Sequence, residues 1–117
     1  MPIWKRPVSV AHFTALHVDT AVATLGIEFL EVGDDFIKAR VPVDRRTKQP
    51  FGLLHGGVSV VLAETLGSCG ASAAAPEGYR CVGLDINANH LKWCHQRLGH
   101  RRHAPAAHWT HNAGVAH

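Results

Sequence analysis

Phe51–Ala71, FGLLHGGVSVVLAETLGSCGA, sets His55, Gly56 and Gly57 in front of a long apolar run that carries one carboxylate, Glu64. From Gly56 to about Ala74 the run is too long for a strand and rich in small side chains, which predicts a buried central helix. At roughly 100° per residue, Val58, Leu62, Thr65, Leu66 and Cys69 share one arc, and Gly57, Val61, Glu64 and Ser68 form the adjacent stripe. Glu64 therefore borders the apolar face, where a carboxylate is rare without a partner.

On the N-terminal side, Ser9 to Leu25 spaces Val10, Phe13, Leu16 and His17 at helical intervals and stops at Gly26, predicting one short helix. Ile27 to Val32 and Phe36 to Val43 are rich in β-branched and aromatic residues, with Gly33-Asp34-Asp35 as the turn of a hairpin. In the second run Ile37, Ala39 and Val41 alternate with Phe36, Lys38 and Arg40, as a strand with one wetter face should. Asp44 to Gly52 is a polar loop. Beyond the long helix, Pro76-Glu77-Gly78 breaks the chain, and Val82, Leu84, Ile86, Ala88 and His90 alternate with Cys81, Gly83, Asp85, Asn87 and Asn89, predicting a third strand. The order helix, hairpin, long helix, strand implies an α+β domain with a helix laid across an antiparallel sheet. Three strands do not cover so apolar a helix. The remaining cover has to come from another chain or from the end of this one.

The chain has 117 residues, enough for one domain. It is 46% hydrophobic and 18% charged, and no stretch approaches the ~18 to 20 uncharged apolar residues of a membrane span. Met1 to Arg6 is cationic but lacks the apolar core of a secretory signal behind it, so a cytoplasmic protein without a membrane partner is expected. Cys69, Cys81 and Cys94 form no CxxC pair, which argues against a disulfide framework and against a zinc knuckle. The net charge of +3 is lopsided: every acid lies at or before Asp85, and Lys92, Arg97, Arg101, Arg102 and most of the histidines follow it. The basic excess thus belongs to the tail, and no nucleic-acid partner is expected for the domain.

RTKQPFGLLHGGVSVVLAETLGS (Arg46–Ser68) followed by VGLDINANHL (Val82–Leu91) resembles the hotdog-fold acyl-CoA thioesterases, in particular the branch acting on aromatic acyl-CoAs such as 1,4-dihydroxy-2-naphthoyl-CoA. The resemblance covers about residues 3–92. It implies an antiparallel sheet wrapped around the long helix, a homodimer or homotetramer, an acyl-CoA substrate, no metal, and no cofactor beyond the CoA that the substrate carries. Glu64 matches the family's catalytic carboxylate, acting as nucleophile or as general base on water. Gly57 matches the residue whose backbone N–H, at a helix N-terminus, polarises the thioester oxygen. His55 and Gln49 match the side chains that orient the thioester and its leaving thiolate, and Ser68 a serine beside the water or the acid. Gly56 and His90 match positions that bind substrate or CoA. Glu64 would act on a thioester held mainly by the loop of the other subunit, so the site would be shared.

After Lys92 the resemblance stops. WCHQRLGHRRHAPAAHWTHNAGVAH (Trp93–His117) has no strand alternation and no acids, so residues 1–92 form an incomplete thioesterase domain and residues 93–117 an unrelated tail, expected to be disordered. An allowed codon choice for this tail, read one base later, yields GAISGWVTGATRPLRIGRTTQVWRI, which resembles the family's two missing strands. A frameshift is therefore expected to have replaced the end of an ordinary thioesterase, at a cost in stability or activity. Two other function classes stand beside the hydrolase. One is a non-catalytic acyl-CoA or acyl-carrier binding module. The other takes the tail at face value as a histidine-rich metal- or nucleic-acid-binding appendage, with His100, His103, His108 and His111 spaced loosely like a metal site. The acyl group, and dimer against tetramer, stay open at this level.

Overall fold

The computed structural model describes residues 2–86 and the backbone of 102–103, 107–110 and 113–116. Helix α1 (Val10–Leu16) starts where the Ser9 side chain accepts the backbone N–H of His12 at 3.0 Å, the usual work of a serine N-cap. The single helix predicted over Ser9–Leu25 is in fact two. After α1 the chain turns at Asp19, whose φ of 65° only a few side chain types tolerate, and helix α2 (Ala21–Thr24) follows. Gly26, at φ 76°, then reverses the chain as its position suggests.

Strands β1 (Glu28–Val32) and β2 (Phe36–Arg40) pair antiparallel, with Glu28 opposite Arg40 and Val32 opposite Ile37, and a bulge falls between Phe29 and Glu31. Ile37, Ala39 and Val41 are fully buried, so the predicted alternation holds. The run does not continue unbroken to Val43, because Pro42 has no N–H for the ladder; strand β3 (Pro42–Val43) is separate.

Helix α3 (Gly56–Ala74) has the span expected of it. By length and composition its 19 residues could cross a membrane, but here it lies against β2 and carries Glu64. Val58, Leu62, Leu66, Gly70 and Ala73 form its buried face, packed with Phe13, Phe29, Ile37 and Val43 into one core. Full burial of a side chain such as Leu66 contributes about 1.5–3 kcal/mol.

Two expectations are corrected. The strand predicted over Cys81–His90 is not formed at 81–86, where the chain joins no ladder among the described residues. Val82 is 88% exposed and Leu84 fully so. Strand pattern needs a neighbouring strand to become a strand, and no described strand pairs with it; the remainder of that strand, His90 included, lies outside the described residues. Conversely, within Trp93–His117, where disorder is expected, the described backbone forms short strands β4 (Arg102–His103), β5 (Ala107–Thr110) and β6 (Ala113–Ala116); the rest of that stretch lies outside the described residues. They complete a sheet of order β1-β2-β5-β6 and a pair β3-β4. Ladder bonds are made by backbone, so the open edge of β2 can recruit a segment with no legible side-chain pattern.

Candidate active site

The loop between β3 and α3 is braced before it reaches the helix. Thr47 is only 1% exposed; its Oγ1 donates to the Pro42 carbonyl at 2.6 Å and accepts the Asp44 N–H at 3.0 Å. The Thr47 carbonyl in turn accepts the His55 N–H at 2.8 Å. Between them, Lys48 and Leu54 form a bridge, and Gly52 takes φ 84° with open space around it. Both ends of the loop are thus fixed beneath the helix N-terminus.

Within this loop Gln49 holds the turn together. Its Oε1 accepts the N–H of Phe51 at 2.6 Å and of Leu53 at 3.3 Å. The carboxamide oxygen is spent on the backbone, leaving the amide NH2 as the group able to donate to a ligand. Phe51 stands 88% exposed at the tip.

His55 is the N-cap of α3. Its Nδ1 accepts the Gly57 N–H at 2.9 Å, satisfying one of the helix's unpaired donors. This fixes the neutral ring with its proton on Nε2, which makes the far side of the ring a donor. A Cβ on Gly57 would lie 3.1 Å from the ring's Nδ1, so glycine there lets the ring and the amide meet. Gly56 opens the helix beside them.

Glu64 lies two turns further along the same stripe, with Ser68 one turn beyond it. Helical rise puts Gly57 and Glu64 about 10 Å apart along the axis. Glu64 is exposed in the single chain and Ser68 half-buried. The structure thus unites Gln49, His55, Gly56 and Gly57 in one corner and Glu64 with Ser68 in another; His90 lies outside the described residues.

On the core-packed arc of α3, Cys69 Sγ sits 3.7 Å from His17 Nε2. His17 Nδ1 faces the Phe13 carbonyl at 2.7 Å, so it carries the ring proton and Nε2 accepts from the thiol. Burial pushes the Cys69 thiol up to about 11, the mark of an inert structural cysteine. Among the described residues no cluster of His, Cys, Asp and Glu is suited to a metal ion.

One contact was not legible beforehand. Ser72 Oγ donates to the Cys81 carbonyl at 3.2 Å and accepts the Cys81 N–H at 3.1 Å, tying the segment after the Pro76 break back onto α3. A serine late in a helix of small residues carries no sequence signal for such a clamp.

A family model described as the thioesterase superfamily matches residues 51–97. A putative esterase of Haemophilus influenzae is 53% identical over 90 residues, 77% of this chain and 65% of that protein. The 1,4-dihydroxy-2-naphthoyl-CoA hydrolase of Escherichia coli is 49% identical over 90 residues, 77% of this chain and 66% of that protein. This chain thus matches just under two thirds of the length of these curated relatives. The crystal structure of a Haemophilus influenzae thioesterase superposes with a TM-score of 0.83 at 46% identity, covering 92% of this chain and 71% of that one. A mutant thioesterase of Pseudomonas aeruginosa superposes at 0.77 and 37% identity.

Proposed function

This chain belongs to the thioesterase superfamily and has its hotdog fold, and from that premise we propose that it hydrolyses acyl-CoA thioesters to the free acid and CoA, with Glu64 as nucleophile or general base. As base, the carboxylate takes a proton from water while the water oxygen bonds the carbonyl carbon; the C–S bond then breaks and the thiolate leaves with that proton. As nucleophile, it bonds the carbonyl carbon itself and expels the thiolate, and water cleaves the resulting anhydride. The thioester oxygen takes the Gly57 N–H, which the His55 ring occupies in the free chain. There the helix dipole favours the developing negative charge. The His55 Nε2–H and the Gln49 NH2 orient the carbonyl and the leaving sulfur, Gly56 leaves room for the substrate, Ser68 steadies water or acid, and His90 contacts CoA.

The observation that carries this reading is the histidine-capped helix N-terminus on the same stripe as a carboxylate. Their separation also bears on assembly. About 10 Å of helix keeps Gly57 and Glu64 of one chain from gripping the same carbonyl, so we assign each site to two chains, the loop of one facing Glu64 of its partner in a homodimer or homotetramer. Exposed Val82 and Leu84 supply apolar surface for such pairing. An aromatic acyl group is favoured by the likeness to a 1,4-dihydroxy-2-naphthoyl-CoA hydrolase. We read residues 93–117 as the product of a shifted frame that replaces the family's last strands. Alignment with relatives over 90 residues, 77% of this chain, is in keeping with this.

The test is thiol release from benzoyl-CoA, this chain and its frame-restored form against their Glu64→Gln variants. Release that Glu64→Gln abolishes supports a hydrolase. Binding of the thioester without release in either form supports the non-catalytic module instead.

A further inference from the structure

The segment tied down by Ser72 runs back along α3 and meets it again at Glu64. A Cβ built on Gly83 would overlap Glu64 Oε1 and lie 2.7 Å from Cδ and 3.1 Å from Cγ. The three atoms nearest to that position all belong to this one side chain. Gly83 does not have a positive φ, so its backbone does not require glycine, and the residue is exposed. Space for the carboxylate is what remains to explain the absent side chain, in accord with glycine's use where another group approaches the backbone closely.

We propose that Gly83 is a positioning residue for the Glu64 carboxylate, its bare Cα forming the wall against which the acid rests. The inference rests on the catalytic reading of Glu64 and adds to it the element that fixes where the acid points. Since any β-carbon at position 83 takes the volume the carboxylate fills, Gly83→Ala swings Glu64 to another rotamer. Misplacing a reacting group by about 1 Å costs on the order of 100-fold in rate. At this exposed position the added methyl group leaves the fold as it was.

The experiment compares this full chain, Gly83→Ala, Glu64→Gln and the double variant by carboxyl-carbon and amide NMR over a pH titration, by thermal melting, and by thiol release from benzoyl-CoA. In the parent chain the Gly83 amide shift follows the titration of the Glu64 carboxyl carbon. Gly83→Ala uncouples the two, lowers kcat by about 100-fold with KM within about twofold, and leaves the melting temperature unchanged. In the Glu64→Gln background it adds nothing, as two changes acting through one group should. Independent titration of the Gly83 amide overturns the proposal, as does a Gly83→Ala variant at the parent rate beside an inactive Glu64→Gln. A Glu64→Gln variant at the parent rate overturns the catalytic reading beneath it.

Discussion

Replacing His55 separates the two tasks its ring performs. The Nδ1 cap on the Gly57 N–H at 2.9 Å is worth about 1 kcal/mol of stability. For a chain of this size each 1 kcal/mol moves the melting temperature by roughly 4 °C. His55→Ala is therefore expected to melt about 4 °C lower. His55→Asn places a carboxamide oxygen where Nδ1 was and is expected to melt close to the parent, since asparagine is among the best caps. Neither variant keeps the donor on the far side of the ring. Both are expected to release thiol from benzoyl-CoA about 100-fold more slowly, the usual cost of one missing donor to a developing oxyanion. Melting followed by circular dichroism and thiol release give the two readouts on the same samples. An asparagine variant that melts as low as the alanine variant refutes the cap, and one that keeps full activity refutes the ring's part in the chemistry.

Cys69, held up to about 11 by burial, should be almost wholly thiol at pH 8. Iodoacetamide followed by peptide mass spectrometry is expected to label it at least 10-fold more slowly than Cys81. The same shift makes stability pH-dependent. The unfolded thiol loses its proton near pH 9 while the folded one keeps it, so stability falls by about 2 kcal/mol as pH rises from 9 to 11, and Cys69→Ala removes that slope in urea titrations. Thr47→Val, similar in shape, deprives the Pro42 carbonyl of its 2.6 Å donor and is expected to cost about 1–3 kcal/mol in urea unfolding. Restoring the reading frame after Lys92 is expected to raise the melting temperature by about 10 °C or more, because it supplies strands whose sequence alternates as a half-buried sheet requires. It should raise thiol release as well.

The long helix and the hairpin were legible because their apolar periods are unambiguous: Val58, Leu62 and Leu66 at helical spacing, Ile37, Ala39 and Val41 at every second residue. The break at Asp19 was not, since the helical spacing of Val10, Phe13 and Leu16 continues into His17 and a left-handed aspartate leaves no apolar trace. At Cys81–Ile86 the alternation is real but unspent, because pairing is a property of two segments and sequence pattern reports only one. The short strands within Trp93–His117 leave no sequence signal for the opposite reason, since their ladders use backbone groups that every residue carries. In the site, the His-Gly-Gly step into a helix could be read directly; Gln49's grip on its own loop could not, because a glutamine oxygen bonding backbone two and four residues on has no distinctive sequence pattern, and the seat of Glu64 against Gly83 depends on a contact between separate elements.

Glu64 is the residue on which the proposed chemistry stands or falls. The most direct measurement is the rate of CoA release from benzoyl-CoA by the frame-restored chain with glutamate, glutamine or alanine at position 64. A fall of about 100- to 10,000-fold in both variants, with the oligomer intact by light scattering, is the expected result. Undiminished release from the alanine variant would contradict it.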